Sequence, residues 1–341
     1  MSKIKLRSKC YFALYNFAVI LFFLVIIEFL TGFFLRNPEH IPHKLLAIFR
    51  EYYMINDRFV IQAVPDFSIY DDELLYTLKP GRFNFKNREF NNSFQVNSLG
   101  MRDDENSLQF PEIIACGDSY TMGWGVSQNE SFPEIIEHKI KKRVLNTGIS
   151  TYGTVREILS LKGLKTDSLK YLIIQYSDND FEENRDYIRN NFSLKITSKV
   201  EFEALCNKHV KNQNYFPFKH IIFFPKIIAK WIIGKPVGVF DAGKSVVVLS
   251  EQKAFLQIIN QAKFLPENIK IIVFNLDYRK SKADFIPLLI KELENFPELK
   301  KKMILIDFSK SLNDNHFYIL DDHLNSKGHL FIAESIIHQL K

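Results

Sequence analysis

Cysteine is scarce in this chain, and its thiols are not spaced as disulfide partners or metal ligands. Only Cys10, Cys116 and Cys206 occur among 341 residues, and they lie far apart. An odd number of unclustered cysteines argues against a disulfide framework and against a thiolate zinc site. We therefore interpret them as free thiols that serve as small apolar residues.

Motifs of several other chemistries are also missing. The sequence has no H-E-x-x-H pair, and His316 and His323 lack the i, i+4 spacing of helical metal ligands. It contains no P-loop or GxGxxG element, so we expect no nucleotide cofactor and no metal. The net charge of +6 is spread along the chain instead of forming a basic stripe, which argues against nucleic-acid binding. Mild basicity suits an anionic membrane surface better.

What the sequence does have is a long apolar run near its start. Residues 10–27 carry no charge, and after Glu28 the apolar character resumes to Leu35. About 20 apolar residues cross a bilayer, and a carboxylate at position 28 would lie near the far interface. The basic residues before the run predict a cytoplasmic N-terminus; they are Lys3, Lys5, Arg7 and Lys9. A cleaved signal peptide would be shorter and end in small residues, so we predict an uncleaved anchor over residues 1–36.

The next region, residues 37–95, resembles a linker with a small β-rich part. A helix is predicted near Lys44–Tyr53. Short apolar stretches then alternate with turn signals such as Pro80-Gly81 and Asn91-Asn92.

From residue 96 onward the pattern predicts one α/β domain. Apolar runs that read as buried strands alternate with amphipathic helical segments, which indicates a parallel sheet covered on both faces, a three-layer α/β/α sandwich. The predicted strands are Ile113–Cys116, Val144–Asn146, Tyr171–Tyr176, Lys270–Leu276 and Met303–Asp307. The predicted helices are Phe132–Lys141, Val155–Leu164, Glu251–Lys263, Ala283–Asn295 and Lys327–Leu340.

Residues 181–250 interrupt this alternation. The segment is polar at first and then rich in aromatics and lysine around Phe216–Trp231. A segment of this length within a compact domain is typical of a cap over the site. Its basic, aromatic part is also compatible with a position on the membrane surface.

Two short motifs carry candidate chemistry. Residues 117–126, Gly-Asp-Ser-Tyr-Thr-Met-Gly-Trp-Gly-Val, directly follow the first predicted strand, so Ser119 lies at the sheet edge where α/β proteins bind ligands. Residues 321–323, Asp-Asp-His, precede the last predicted helix, and an Asp-x-His turn can orient an imidazole toward a serine. Either motif alone could be a turn or an acidic helix N-terminus. Together they favour a serine nucleophile with a histidine base.

At this point the chain resembles the SGNH/GDSL hydrolase family. Four ordered blocks carry the resemblance: Gly117-Asp118-Ser119, residues 144–154, residues 175–180 and Asp321-Asp322-His323. The N-S-x-G-x-R element at residues 97–102 resembles that of membrane-anchored bacterial members.

The resemblance implies a role for each matching residue. Ser119 would be the nucleophile, His323 the general base and Asp321 its orienting carboxylate, with Asp322 as second choice. The oxyanion would be held by the Ser119 and Thr151 backbone N–H groups and the Asn179 side-chain amide.

Three positions depart from the family pattern. Thr151 stands where many relatives have glycine, and Ser177 replaces the leading glycine of the third block. Leu320 occupies the place where some relatives have their aspartate. None of these changes removes a catalytic group.

The function expected from these features is that of a membrane-anchored serine esterase with its catalytic domain outside the membrane. Its partners would be an ester or acylated glycan and, through the anchor, membrane lipid. An O-acyltransferase would use the same triad and differ only in its acceptor. A non-catalytic envelope protein is the third possibility.

Overall fold

The structure is a computed structural model that describes residues 2–233, 249–277, 279 and 282–340. The chain divides into two compact units. The N-terminal unit comprises Met1–Arg58 and Asn212–Ala242, and the sheet unit comprises Phe59–Lys211 and Gly243–Lys341. The domain boundaries expected at residues 36 and 95 stay a prediction.

The elements, in chain order, are as follows. The strands are β1 Ser68–Asp71, β2 Leu75–Leu78, β3 Gly81–Lys86, β4 Asn91–Val96, β5 Ile113–Cys116, β6 Val144–Asn146, β7 Tyr171–Tyr176, β8 Lys270–Asn275 and β9 Met303–Ile306. The α-helices are α1 Ser2–Arg36, α2 His43–Asn56, α3 Ser119–Met122, α4 Phe132–Ile140, α5 Thr154–Leu159, α6 Asp178–Arg189, α7 Lys199–Gln213, α8 Lys219–Ile233, α9 Glu251–Gln261, α10 Phe285–Glu292, α11 Pro297–Lys302 and α12 Ser326–Ile337.

The N-terminal unit is helical. Its first helix, α1, contains the apolar run, and Tyr11–Arg36 is long and apolar enough to cross a membrane, with a mean hydropathy of 2.7. Both α1 and α2 contact α8. Aromatic rings form part of this packing, since Phe49 lies 5.7 Å from Phe34 and 4.9 Å from Phe224 between ring centroids.

The sheet unit is built on five parallel strands in the order β6-β5-β7-β8-β9. Strand order reverses at β5, because the chain leaves β5 for one neighbour, β6, and returns on its other side as β7. Open α/β sheets bind their ligands outside the carboxyl ends of the strands at such a switch point. The fold therefore points to the loops after β5, β6 and β7.

Helices cover both faces of this sheet, which makes the three-layer α/β/α sandwich expected from the sequence. Side chains alternate along β5: Ile114 and Cys116 join the core under α5, α9 and α10, whereas Ile113 and Ala115 join the core under α4 and α12. Burial on both faces explains why the strands are continuously apolar. Both cysteines whose side chains are described, Cys116 and Cys206, are free and buried.

Two antiparallel hairpins, β1-β2 and β3-β4, form the β-rich part that the turn signals predict. The second hairpin contributes aromatic rings to a third core cluster that includes Phe85, Phe94 and Trp124. The hairpins thus pack beside the segment that follows the candidate nucleophile.

All five predicted strands form, and β8 and β9 each end one residue earlier than expected. The helices predicted after each strand also form, with ends shifted by up to five residues. The interruption at 181–250 begins instead with a regular helix, since Ser177 and Asp180 form a capping box for α6. Residues 181–211 belong to the sheet unit and 212–233 to the N-terminal unit, and residues 234–248 lie outside the described residues.

Candidate active site

Ser119 is the first residue of α3, three residues after the last residue of β5. Asp118 caps this short helix by accepting a hydrogen bond from the Tyr120 N–H at 2.9 Å. The tight turn requires glycine at 117, where a Cβ would lie 2.2 Å from Thr121 Oγ1 and 2.6 Å from Gln175 Oε1. The sequence therefore places a nearly buried serine hydroxyl at the carboxyl edge of the sheet.

The predicted base and acid meet this serine. His323 Nε2 lies 2.7 Å from Ser119 Oγ, and His323 Nδ1 lies 2.5 Å from Asp321 Oδ1. Both hydrogen bonds are buried. Asp322 is also close, with its Oδ1 3.2 Å from the same ring nitrogen. A continuous hydrogen-bonded chain from carboxylate to imidazole to hydroxyl is the arrangement that activates a serine.

Trp124, five residues after Ser119, contacts both Asp321 and His323. Its indole N–H donates to Asp321 Oδ2 at 3.2 Å, the carboxylate oxygen that His323 does not use. Its ring also stacks on the imidazole, with centroids 4.7 Å apart and planes 18° apart. One buried side chain thus fixes the carboxylate and the tilt of the ring.

The loop that carries Asp321 is held by Glu89, which lies between β3 and β4. The Glu89 carboxylate accepts hydrogen bonds from three consecutive backbone N–H groups, those of Ile319 at 2.7 Å, Leu320 at 2.8 Å and Asp321 at 2.9 Å. Burial raises the pKa of Glu89, although these three donors oppose the shift. Arg279 reaches the same loop and donates to the Asp321 carbonyl at 2.8 Å.

Arg102, from the N-S-x-G-x-R element, holds the other side of the site. Its side chain is fully buried, lies 3.6 Å from the Phe94 ring centroid and donates to the carbonyls of Met122, Gly123 and Val126. Burial lowers the pKa of this guanidinium to about 9. The arginine therefore fixes the turn that presents Trp124.

Two titratable groups beside the nucleophile have shifted pKa values. Burial alone would lower the pKa of His323, but Asp321 and Asp322 together outweigh it and raise the pKa to about 9. Burial raises the pKa of Asp118 to about 6, against hydrogen bonds from the Tyr120 N–H and the Ser177 hydroxyl. Asp321 and Asp322 thus stabilise the charged form of His323.

The loops after β5, β6 and β7 interlock at the same edge of the sheet. The Ile149 N–H donates to the Gly117 carbonyl at 3.2 Å, which joins the loop after β6 to the nucleophile turn. The Ser177 hydroxyl donates to Asp118 at 2.9 Å, which joins the end of β7 to the same turn. The loops of Thr151 and Asn179 are thereby tied to the turn of Ser119.

The predicted oxyanion residues Thr151 and Asn179 are linked through one hydrogen bond. The Asn179 amide donates to the carbonyl of Tyr152 at 3.0 Å, and Tyr152 directly follows Thr151. An amide nitrogen carries two hydrogens, so this bond leaves the second for a ligand. Both residues are exposed.

Thr151 adopts the left-handed conformation, with φ 61°, which disfavours β-branched residues. Threonine therefore stands at a position whose backbone conformation suits the glycine of many relatives better. Tyr76 in β2 provides the restraint: its hydroxyl donates to the Ser150 carbonyl and lies 2.5 Å from Thr151 Oγ1. A buried tyrosine therefore fixes the conformation that glycine would adopt freely.

Among the described residues, a single group of three potential ligand side chains has its donor atoms within 4.8 Å of one another: Asp321, Asp322 and His323. Both ring nitrogens of His323 and both oxygens of Asp321 already make hydrogen bonds in the triad. These four atoms are therefore already engaged within the protein.

The sequence did not reveal Tyr76, Glu89 or Trp124 as site residues. Trp124 lies within the Gly-Asp-Ser segment at residues 117–126. Its contact with Asp321, about 200 positions later, has no signal in the sequence. Tyr76 and Glu89 lie in the hairpins, where neither spacing nor residue type marks them.

Comparison with known proteins gives structural similarity at low sequence identity. No protein-family model and no curated protein matches this sequence. A lipolytic protein of the G-D-S-L family from Desulfitobacterium hafniense is similar at 13% identity and a TM-score of 0.32, over 66% of this chain and 97% of that one.

Two carbohydrate esterases are also similar. One is a family 2 enzyme with a carbohydrate-binding domain from Corynascus thermopiles (Myceliophthora fergusii), at 12% identity and a TM-score of 0.39, over 67% of this chain and 65% of that one. The other has an active site with divergent catalytic and non-catalytic binding functions, at 11% identity and a TM-score of 0.38, over 67% and 64% of the two chains.

Proposed function

We propose that this chain is a membrane-anchored serine hydrolase of the SGNH type that cleaves ester bonds. The observation that carries the proposal is the buried chain of hydrogen bonds from Asp321 through His323 to Ser119, at 2.5 and 2.7 Å. A structural turn would not need a serine, a histidine and a carboxylate in this order. The geometry supports acyl transfer through a covalent intermediate.

In the first half of the reaction, Ser119 Oγ attacks the acyl carbonyl while His323 Nε2 accepts the hydroxyl proton. Asp321 stabilises the imidazolium and keeps Nδ1 protonated. The C–O bond to the leaving group then breaks, and His323 donates its proton to the departing alkoxide. The acyl group remains on Ser119.

In the second half, water attacks the acyl-serine and gives its proton to His323. The C–O bond to Ser119 breaks, His323 returns the proton to Oγ, and the carboxylic acid leaves. Transfer to a sugar hydroxyl would follow the same steps with the sugar in place of water.

The tetrahedral intermediates carry a negative oxygen that needs donors. The Ser119 N–H at the start of α3, the Thr151 N–H and the Asn179 amide serve this role in the proposal. Fixed donors of this kind are worth about 3 kcal/mol each in the transition state. The restraints on Thr151 from Tyr76 and on Asn179 from Tyr152 keep these donors fixed before substrate arrives.

The anchor in this proposal is α1. Its apolar segment spans the bilayer once, and the basic residues before it keep the N-terminus in the cytoplasm. Catalysis then takes place on the outer side, where an acyl ester of an envelope glycan is the proposed class of substrate.

A serine-directed fluorophosphonate and p-nitrophenyl acetate test the proposal on the full-length chain in lipid nanodiscs. Ser119→Ala should lose labelling and turnover, whereas Ser335→Ala, which removes a helix hydroxyl bonded to the Phe331 carbonyl, should keep both. Adding a sugar acceptor measures how the acyl group divides between water and sugar. A folded wild type that neither labels nor turns over would overturn the hydrolase proposal.

A further inference from the structure

Helix α8 carries apolar residues on two different faces. His220, Phe224 and Ile227 pack inward, and the His220 Nδ1 lies 2.8 Å from the Tyr52 hydroxyl of α2. A second stripe at i, i+3, i+7 and i+10 is exposed; it consists of Ile222, Pro225, Ala229 and Ile232. An exposed apolar stripe on a helix that already packs inward through another face marks a surface that a partner or lipid covers.

The N-terminus of α8 is attached to Glu28, which lies in the C-terminal third of the apolar helix α1. The Glu28 carboxylate accepts hydrogen bonds from the Ile221 N–H at 3.1 Å, the His220 N–H at 3.5 Å and the Tyr215 hydroxyl at 3.0 Å. The first N–H groups of a helix lack partners within the helix and favour a negative charge. This capping explains how a carboxylate is accommodated within an apolar segment.

The level of Glu28 along α1 sets the depth of α8 in a bilayer. From residue 11 to 27 the large apolar side chains of α1 are mostly exposed, whereas Thr31 and Leu35, on the face that continues from Glu28, are buried. Those exposed residues rise about 25 Å at 1.5 Å each. A hydrocarbon core of about 30 Å therefore ends close to Glu28. The N-terminus of α8, which the Glu28 carboxylate caps, must lie at the same level.

We propose that α8 lies in the outer interface of the bilayer and that lipid covers its exposed stripe. The proposal rests on the proposed anchoring by α1. Lipid is the occupant favoured here because the stripe belongs to the same unit as the membrane helix and is joined to it at bilayer depth.

The remaining face of α8 suits anionic headgroups. Lys226 and Lys230 lie one turn apart, and Lys230 is 3.5 Å from Glu51 of α2. The Trp231 indole N–H donates to the other oxygen of Glu51 at 2.5 Å. Tryptophan and lysine beside an apolar stripe are typical of helices that lie in the interface plane.

Fluorescence of the full-length chain in nanodiscs tests this position. The chain has two tryptophans, and Trp124 is almost fully buried, so quenching reports on Trp231. We expect phosphatidylcholine brominated near the headgroup end of its chains, mixed with phosphatidylglycerol, to quench Trp231, while aqueous iodide leaves it bright. Trp231→Phe should abolish the lipid-dependent quenching.

Glu28→Leu provides the second arm, because it removes the cap and leaves α1 fully apolar. Loss of bromolipid quenching in this variant would support the attachment through Glu28, whereas unchanged quenching would overturn it. Quenching of the wild type by iodide and not by bromolipid would overturn the interface position. So would self-association of the chain that protects Trp231 from both quenchers.

Failure of this inference is separable from failure of the proposed function. Alkaline carbonate extraction tests the anchor itself, and fluorophosphonate labelling tests the nucleophile. A chain that stays in the membrane and labels at Ser119, yet leaves Trp231 unquenched by bromolipid, would refute only the position of α8.

Discussion

The indole of Trp124 and the carboxylate of Asp321 are joined by a hydrogen bond that uses the oxygen His323 leaves free. The nucleophile segment and the acid loop, distant in sequence, are thus linked directly as well as through the histidine. The Asp321 carboxylate is therefore oriented by His323 at one oxygen and by Trp124 at the other.

Trp124→Phe tests this link, because it keeps an aromatic ring against His323 and removes only the N–H. A hydrogen bond to a charged group contributes about 1.5–3 kcal/mol, so kcat/KM should fall roughly 10- to 100-fold. The acid limb of the pH profile should also move to higher pH, since an unshared Asp321 charge raises the pKa of His323 further. Trp231→Phe is the matched control, and equal activity of both variants would refute the role of the indole.

The pH dependence follows from His323. Its pKa is raised to about 9, and only the neutral imidazole can accept the Ser119 proton. We expect kcat/KM to rise with pH through a midpoint near 9. Asp322→Asn removes one of the two carboxylates that raise this pKa, so its midpoint should lie lower than that of wild type. Asp66→Asn, at an exposed position, should leave the profile unchanged; a profile insensitive to Asp322 would contradict the prediction.

Tyr76→Phe should slow the chemical step more than it weakens substrate binding. Without the hydroxyl, Thr151 loses the contact that holds its left-handed conformation. Its backbone N–H then no longer points steadily at the proposed oxyanion. Up to about 3 kcal/mol of transition-state stabilisation is at stake, or roughly a 100-fold loss in kcat with a smaller change in KM.

Two further variants separate this role from general packing. Tyr70→Phe, on the neighbouring strand, removes a hydroxyl that donates to the Thr197 carbonyl and should have little effect on kcat. Thr151→Gly in the Tyr76→Phe background should restore part of the rate, because glycine adopts positive φ without a restraint. No rescue by glycine would indicate that Tyr76 acts otherwise.

Glu89→Gln should destabilise the loop that carries Asp321. The glutamine side chain keeps one acceptor oxygen but replaces the other with a donor that faces backbone N–H groups. Leaving one or two buried donors unpaired costs about 1–3 kcal/mol each, measurable as a lower free energy of unfolding of the full-length chain in urea. kcat/KM should fall as well. The exposed Glu73→Gln is the control, and two variants of equal stability would exclude this function of Glu89.

The strands, the helices after them and the contact of Ser119 with His323 were predictable, because each leaves a local mark: an apolar run, an amphipathic period or a short motif beside a strand end. The residues that hold the site in place, such as Glu89 and Tyr76, leave no such mark in the sequence. Glu89 contacts a loop 230 positions later, and nothing in a hairpin turn distinguishes that glutamate from an exposed one. The same holds for Tyr76, whose partner lies 75 positions away.

The packing of α8 against α1 could not be predicted from the sequence. Glu28 could be located near an interface from its position in the apolar run, but its partners come from a segment about 190 residues later. Composition marks Phe216–Trp231 as rich in aromatics and lysine, but it does not indicate which helix this segment contacts.

The place of Glu89 in the β3-β4 hairpin has a practical consequence for anyone who shortens this chain. A fragment starting at residue 96 would keep every group that has a role in the proposed reaction, namely Ser119, Thr151, Asn179, Asp321 and His323. It would lack Tyr76, which restrains Thr151, and Glu89, which holds the loop that carries Asp321. The smallest active fragment should therefore begin before Phe59, upstream of both hairpins, even though no residue of the hairpins takes part in bond making.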